Sequence, residues 1–248
     1  MLNDRYERNR RVEGVGEEGQ QKLARARVLV VGAGGLGSPV LYYLAAAGVG
    51  TLGVVDYDVV DETNLQRQIL HYTADLKRLK VESAQEKLYA INPLIKVVTY
   101  AEKLTPERGR RWISGYDYVL ECCDNYEAKF LINDLCVELG KPYTHAAVLA
   151  MKGEVMSVLP GHATYRDIFP EPPAEGSYQT ASEAGVIGSV AGIVGTIQAT
   201  EAIKYITGVG SLILDRLLLI DACTMQFISL KVSPKSSLFK HQSPKNVR

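Results

Sequence analysis

VLVVGAGGLGSPVLYYLAAAGVGTLGVVDYD, residues 28–58, decides the fold. Val28–Val31 is an unbroken apolar run, as expected of a parallel strand covered on both faces. Gly32, Gly34 and Gly37 follow as G-x-G-x-x-G, with Gly35 between them. Ser38–Ala47 reads as a helix that opens with Ser-Pro, a favoured start. Thr51–Val55 is a second strand, and Asp56 ends it. In such a βαβ unit the first glycine permits the tight turn. The second lets backbone N–H groups approach a phosphate, and the third lets the helix pack on the strand. Asp56 stands where a carboxylate accepts hydrogen bonds from ribose hydroxyls. The pattern predicts a bound nucleotide without choosing between NAD and ATP.

Working outward, the βαβ rhythm continues. Lys80–Ile91 has helical apolar spacing and is stopped by Asn92-Pro93. Strands are expected at Lys96–Tyr100, Tyr116–Glu121 and Pro142–Ala147, with a helix over Glu127–Leu139. Beyond these the character changes. Gly153–Leu159 reads as a strand, and residues 160–181 form a long, turn-rich crossover containing FPEPPAEG. Gly185–Thr207 is a helix with small residues at Gly188, Gly192 and Gly195. These glycines serve either a dimer contact or packing on the sheet. Arg216–Asp221 and Thr224–Val232 suit a closing hairpin. The fold class is therefore α/β: a Rossmann-like nucleotide-binding domain with a mainly parallel sheet extended by antiparallel C-terminal strands. It forms one domain over 1–232, followed by a polar, basic tail over 233–248 expected to be unstructured.

Composition narrows the function. Of 248 residues, 28 are Lys or Arg and 28 are Asp or Glu, so no global basic field favours nucleic acid. The charged N-terminus has no apolar signal segment, and no run suits a membrane span. Cys122, Cys123, Cys136 and Cys223 form no CxxC pair, which fits reduced thiols and a cytoplasmic location.

Phosphate charge bears on the choice of nucleotide. A triphosphate calls for Lys, Arg and a divalent ion beyond a helix N-terminus. Arg67 in DETNLQRQILH, Lys80 in KRLKVESA and Asp124 in ECCDNYEAK are the candidates. Asp124 follows a strand end, where ligands of open α/β sheets bind.

RYERN at Arg5–Asn9, GAGGLG at Gly32–Gly37, DYDVVDETNLQRQ at Asp56–Gln68, KVESA at Lys80–Ala84, INP at Ile91–Pro93, CCDN at Cys122–Asn125 and EAGVIG at Glu183–Gly188 occur in that order. Together they resemble the ThiF/MoeB/HesA family, relatives of ubiquitin-activating enzymes, over roughly Arg5 to Leu230. The resemblance implies ATP-dependent adenylation of a carboxylate with release of pyrophosphate. In well-known members that carboxylate is the C-terminal glycine of a ubiquitin-like sulfur-carrier protein; other relatives act on small-molecule or other carboxylates. By matching motifs, Gly32, Gly34, Gly35, Gly37, Asp56, Asp58, Asn64, Gln68 and Asn125 would bind the nucleotide. Arg67 and Lys80 would act at the phosphates, and Asp124 would hold Mg²⁺. Arg8 would reach into the active site of a second subunit, which implies a homodimer. An NAD-dependent oxidoreductase is a remote alternative that leaves Arg67, Lys80 and Asp124 without a shared purpose.

The chain departs from the family in three places. Thr164 and Asp167 stand where a zinc-binding cysteine pair is usual, and the tail carries no second pair, so no zinc is expected. Ala181 stands at the position of a crossover-loop cysteine. Lys77 replaces a glycine three residues before Lys80. The departures bear on sulfur transfer and thioester formation but leave the adenylation residues untouched.

Overall fold

A computed structural model of the chain describes residues 5–234 except 175 and 180, and describes 181 and 182 by their backbone alone. The strands are β1 Arg27–Val31, β2 Thr51–Val55, β3 Lys96–Tyr100, β4 Tyr118–Glu121, β5 Tyr143–Leu149, β6 Lys152–Val158, β7 Arg216–Asp221 and β8 Gln226–Lys231. The helices are α1 Glu7–Arg10, α2 Gly16–Arg25, α3 Gly37–Ala47, α4 Lys80–Ile91, α5 Pro106–Ser114, α6 Tyr126–Glu138, α7 Tyr165–Ile168, α8 Ala181–Ala184 and α9 Gly188–Thr207.

The strands form one eight-stranded sheet in the order β3-β2-β1-β4-β5-β6-β7-β8. β3 through β5 in that order pair in parallel, whereas β5-β6, β6-β7 and β7-β8 are antiparallel. This is the expected architecture. The strand order reverses between β1 and β4, so the loops after these two strands leave to opposite faces and open a crevice.

The parallel strands are buried because both faces are covered. Val28, Val30, Leu52 and Val54 pack with Leu41, Leu44, Ala199 and Ala202 on one face. Leu29, Val31 and Val119 pack with Trp112, Ile113, Ile132 and Leu135 on the other. Period-two alternation sends neighbouring residues of β1 to different cores, so after the exposed Arg27 no polar position remains in it. β8 differs: every residue of this edge strand is exposed.

Several boundaries shift from the expected ones. β4 begins at Tyr118, because Tyr116 ends the turn after α5 with its N–H on the Ile113 carbonyl at 3.1 Å. The expected helix over Gly185–Thr207 starts at Gly188. Before it Val186 forms a parallel bridge with Ala150, with Ala150 N–H on Gly185 O at 2.8 Å and Ile187 N–H on Ala150 O at 3.3 Å. The crossover segment is not wholly irregular, since it contains α7. The glycines of α9 serve packing within the chain at two positions. A Cβ on Gly195 would lie 2.6 Å from Leu36 O, and one on Gly188 would lie 2.5 Å from Gln66 O. Gly192 meets nothing within 4 Å. The expected tail falls outside the described residues from 235 onward. Among the described residues no helix is long and apolar enough to cross a membrane.

Candidate active site

The crevice between the β1 and β4 loops is a cleft of about 550 Å³. Its floor is the glycine turn. Gly32 has φ +101°, and a Cβ there would lie 2.6 Å from the Cys122 carbonyl oxygen, so glycine is what lets the two loops touch. A Cβ on Gly37 would lie 2.0 Å from Gly32 O. Gly37 therefore closes helix onto turn and does not itself line the cleft. Gly34 and Gly35 do line it, and beta-carbons there would occupy the space beside Gln68 and Arg67.

Asp56 leaves β2 at the cleft edge. Its Oδ2 accepts from Ala33 N–H at 2.8 Å and its Oδ1 from Asp58 N–H at 2.9 Å. Each oxygen keeps a further lone pair for a ligand hydroxyl. Burial raises the Asp56 carboxyl above its usual range, and the Lys80 ammonium opposes that rise. Lys80, at the start of α4, is buried and donates to Asp58 Oδ2 at 3.0 Å. Asp58 thus aims the lysine as well as lining the cleft. Arg67 lies beside Gly35, with its Nη1 on Thr63 O at 2.9 Å. Gly188 packs against its backbone.

Asp124 faces the cleft from the turn between β4 and α6. Its exposed carboxylate accepts only a 3.5 Å hydrogen bond from Asn125 Nδ2 among the described residues. Asn125 also lines the cleft, but its Oδ1 caps α6 by accepting from Ala128 N–H at 2.9 Å.

Besides Gly37, one residue expected at the nucleotide lies off the cleft, and Arg8, expected in the site of a second subunit, lies off its own. Asn64 takes part in a capping box with Asp61, with its Oδ1 on Asp61 N–H at 3.3 Å, and does not line the cleft. Arg8 is exposed on α1 and is likewise absent from the cleft of its own chain.

Two buried histidines, unmarked by any sequence motif, support the cleft walls. His71 Nε2 meets Ala33 O at 2.9 Å, and its Nδ1 meets Ser83 Oγ at 2.9 Å. A carbonyl can only accept, so Nε2 carries the proton and Nδ1 accepts from the serine. Burial holds His71 below the ordinary histidine range. On the other wall, His145 lies between two carboxylates: Nδ1 is 2.7 Å from Glu121 Oε2 and Nε2 is 3.2 Å from Glu154 Oε1. Glu121 is wholly buried and also accepts from Lys129 Nζ, at 3.0 Å on Oε1 and 3.1 Å on Oε2. Burial alone would lower His145, but its hydrogen bonds to Glu121 and Glu154 hold it above its usual range. Burial would likewise raise Glu121, yet Lys129 and His145 hold it below.

A nucleotide fits this cleft on its own terms. Gly34 and Gly35 leave space that a side chain would fill. Gln68, buried beside Gly34, has an Oε1 with no hydrogen-bond partner among the described residues. No group of three or more His, Cys, Asp or Glu among the described residues could cage a metal. Asp124, the cleft carboxylate with no strong partner among the described residues, suits Mg²⁺, which is often held by one carboxylate together with phosphates and waters. The first position where the family's zinc cysteines are expected carries a threonine and an aspartate instead. Thr164 and Asp167 bond each other, through Thr164 N–H at 2.7 Å and Oγ1–H at 2.9 Å on Asp167 Oδ2. The second expected position and the Ala181 side chain lie outside the described residues. All four cysteines are free, and burial pushes the Cys122 and Cys123 thiols well up.

Comparison with known proteins gives a consistent picture. A model of the ThiF family matches residues 6–240. The probable adenylyltransferase/sulfurtransferase MoeZ of Mycobacterium tuberculosis is 44% identical over 234 residues, covering 92% of this chain and 59% of that protein. The sulfur carrier protein adenylyltransferase of Thermus thermophilus is 43% identical over 235 residues, covering 92% of this chain and 87% of the relative. The chain thus spans about three fifths of the mycobacterial relative's length. A crystal structure of Escherichia coli MccB with ATP superposes with a TM-score of 0.82 at 23% identity, over 95% of this chain and 73% of that one. At that identity the likeness concerns the fold.

Proposed function

The chain belongs to the ThiF family, and on that premise we propose that it is an ATP-dependent adenylyltransferase. Its substrate is the C-terminal carboxylate of a ubiquitin-like sulfur-carrier protein, activated as an acyl-adenylate with release of pyrophosphate. The observation that carries this reading is the convergence of Gly34, Gly35, Asp56, Arg67, Lys80 and Asp124 on one cleft. The names of the Thermus and mycobacterial relatives support the activity, and the carrier is named in the first.

The chemistry needs no protein nucleophile. A carboxylate is a poor electrophile, and joining it to AMP supplies a good leaving group. Gly34 and Gly35 let the phosphates approach the backbone, Asp56 accepts from the ribose hydroxyls, and the unpartnered Gln68 Oε1 accepts from the ligand. Arg67 and Lys80 stabilise charge that builds between the α-phosphate and the leaving pyrophosphate. When bound at Asp124, Mg²⁺ supplies further charge neutralisation at the phosphates. Catalysis is positioning plus preorganised electrostatics.

The cleft thiols are raised by burial, so none is a nucleophile near neutral pH. The acyl-adenylate is handed to a separate nucleophile. Zinc has no part in the reading. The protein acts in the cytoplasm as a homodimer, with exposed Arg8 of each copy completing the other's site. Mixing inactive Arg8→Ala and Asp124→Ala proteins, with subunit exchange, then restores part of the activity; no recovery in exchanged dimers contradicts shared sites.

The test of function is pyrophosphate exchange. Enzyme, Mg·ATP, labelled pyrophosphate and a purified small carrier ending in Gly-Gly should incorporate label into ATP only when the carrier is present. The departures at Thr164, Asp167 and Ala181 favour a second reading, activation of another carboxylate. Exchange with a small carboxylic acid and none with any carrier would establish it.

A further inference from the structure

The turn between β4 and α6 spans residues 122–125 and is anchored at both ends. The sheet holds its start, through Cys122 N–H on Val31 O at 2.9 Å. The Asn125 cap holds its end. Its middle is tied by a side chain: Glu121 Oε1 accepts from Cys123 N–H at 2.8 Å. Asp124 comes next and among the described residues has only the weak Asn125 contact, so its place on the cleft wall is inherited from this backbone.

Glu121 cannot turn away from Cys123. Lys129 Nζ, from the end of the first turn of α6, holds both its oxygens and also donates to Ala146 O on β5 at 2.7 Å. His145, the register partner of Glu121 on β5, holds Oε2. β4, β5 and α6 are therefore cross-tied at the base of the turn. Buried ion networks of this kind seldom add stability over apolar packing, which points to a role in geometry.

We propose that Glu121, Lys129 and His145 are positioning residues that fix the 122–125 turn and so place Asp124 for its metal. The proposal deepens the adenylation reading and rests on it for the role of Asp124. A side chain displaced by about 1 Å at a reacting site can cost ~10²-fold in rate.

Two double variants separate the hydrogen bond from the charge. Glu121→Leu with Lys129→Met removes the ion pair together with the acceptor for Cys123 N–H. Glu121→Gln with Lys129→Met removes the same charges and keeps an acceptor. Calorimetry of ATP binding across a Mg²⁺ series, and amide exchange of the 122–125 segment without nucleotide, are the readouts. The leucine variant should need at least ~10-fold more Mg²⁺ for half-maximal enhancement of ATP binding, the scale of a modest loss of metal geometry. Its Cys123 and Asp124 amides should exchange faster than in the wild type, and the glutamine variant should stay near wild type on both measures. A folded leucine variant with wild-type Mg²⁺ dependence and wild-type exchange would overturn the proposal. If that variant does not fold, rapid exchange of Cys123 N–H in the wild type has the same consequence. A wild type whose ATP binding ignores Mg²⁺ removes the metal role of Asp124, and with it the adenylation reading's account of this residue. Amide exchange alone then decides whether the turn is held as described.

Discussion

The two walls of the cleft are each built on a buried histidine, and the two work in opposite charge states. On the glycine-turn wall, His71 is neutral and joins a carbonyl to a hydroxyl. On the Asp124 wall, His145 lies between carboxylates and is held protonated. The difference follows from what each histidine must hold. The glycine turn presents backbone atoms, which a neutral donor can pin without adding buried charge. The Asp124 turn is pinned by a buried carboxylate, which needs cations around it to remain ionised.

If the walls differ in this way, their substitutions differ in scale. Lys129→Ala leaves Glu121 buried with only His145 as a cation partner and should cost about 3–5 kcal/mol of stability. His71→Ala takes the donor from the Ala33 carbonyl and leaves Ser83 Oγ with its Lys87 contact at 3.3 Å, and should cost about 1–3 kcal/mol. Urea unfolding of both variants measures this, and equal losses would break the comparison.

In catalysis the walls should be equals. Arg67→Ala and Lys80→Ala on one side, and Asp124→Ala on the other, should each lower substrate-dependent pyrophosphate exchange at least ~10²-fold while folding is retained. Wild-type exchange in any folded variant removes that residue from its assigned role.

The charge states also predict opposite pH limbs in stability. His71 is depressed in the folded protein, so its contribution is present above the ordinary histidine value of about 6.5 and is lost as pH falls through its folded value. His145 is raised, so its contribution is full below about 6.5 and is lost as pH climbs through its folded value. Melting temperatures between about pH 5 and 9 should therefore decline on both sides. His71→Gln, which keeps an amide donor for Ala33 O, should flatten the acid side and leave the alkaline side. A variant that retains the wild-type acid limb contradicts the assignment.

The smallest effect concerns the turn that delivers Lys80. Lys77, where the family has glycine, has φ +69°. Its ammonium pairs with Asp61 Oδ2 at 3.1 Å, but both side chains are exposed and the pair is worth little. Lys77→Gly should raise stability by about 0.5–1 kcal/mol by relieving the left-handed backbone, read as a small rise in melting temperature. A loss of stability would mean that the ion pair outweighs the strain.

Local features of the site were legible in the sequence, whereas its supports were not. The glycine spacing, the strand-ending Asp56 and the order of Arg67, Lys80 and Asp124 lie within short motifs, and Gly34, Gly35, Asp56, Arg67, Lys80 and Asp124 line one cleft. Asn64 was drawn to the same motif but serves a local cap, since an Asx side chain next to a turn readily bonds its own backbone. Glu121 and His145 meet only because β4 and β5 align in register, a pairing that no periodicity announces. α5 was missed although Thr105-Pro106 is a start signal, with Thr105 Oγ1 accepting from Arg108 N–H at 3.3 Å. Its apolar residues Trp112 and Ile113 sit among arginines that mask the pattern.

The central claim, that this glycine turn holds ATP for adenylation rather than a nicotinamide dinucleotide, is tested most directly by calorimetry with both nucleotides. Titration with ATP and Mg²⁺ should give saturable binding that Asp124→Ala weakens, and titration with NAD should give none. Tight NAD binding with no ATP binding would contradict the account.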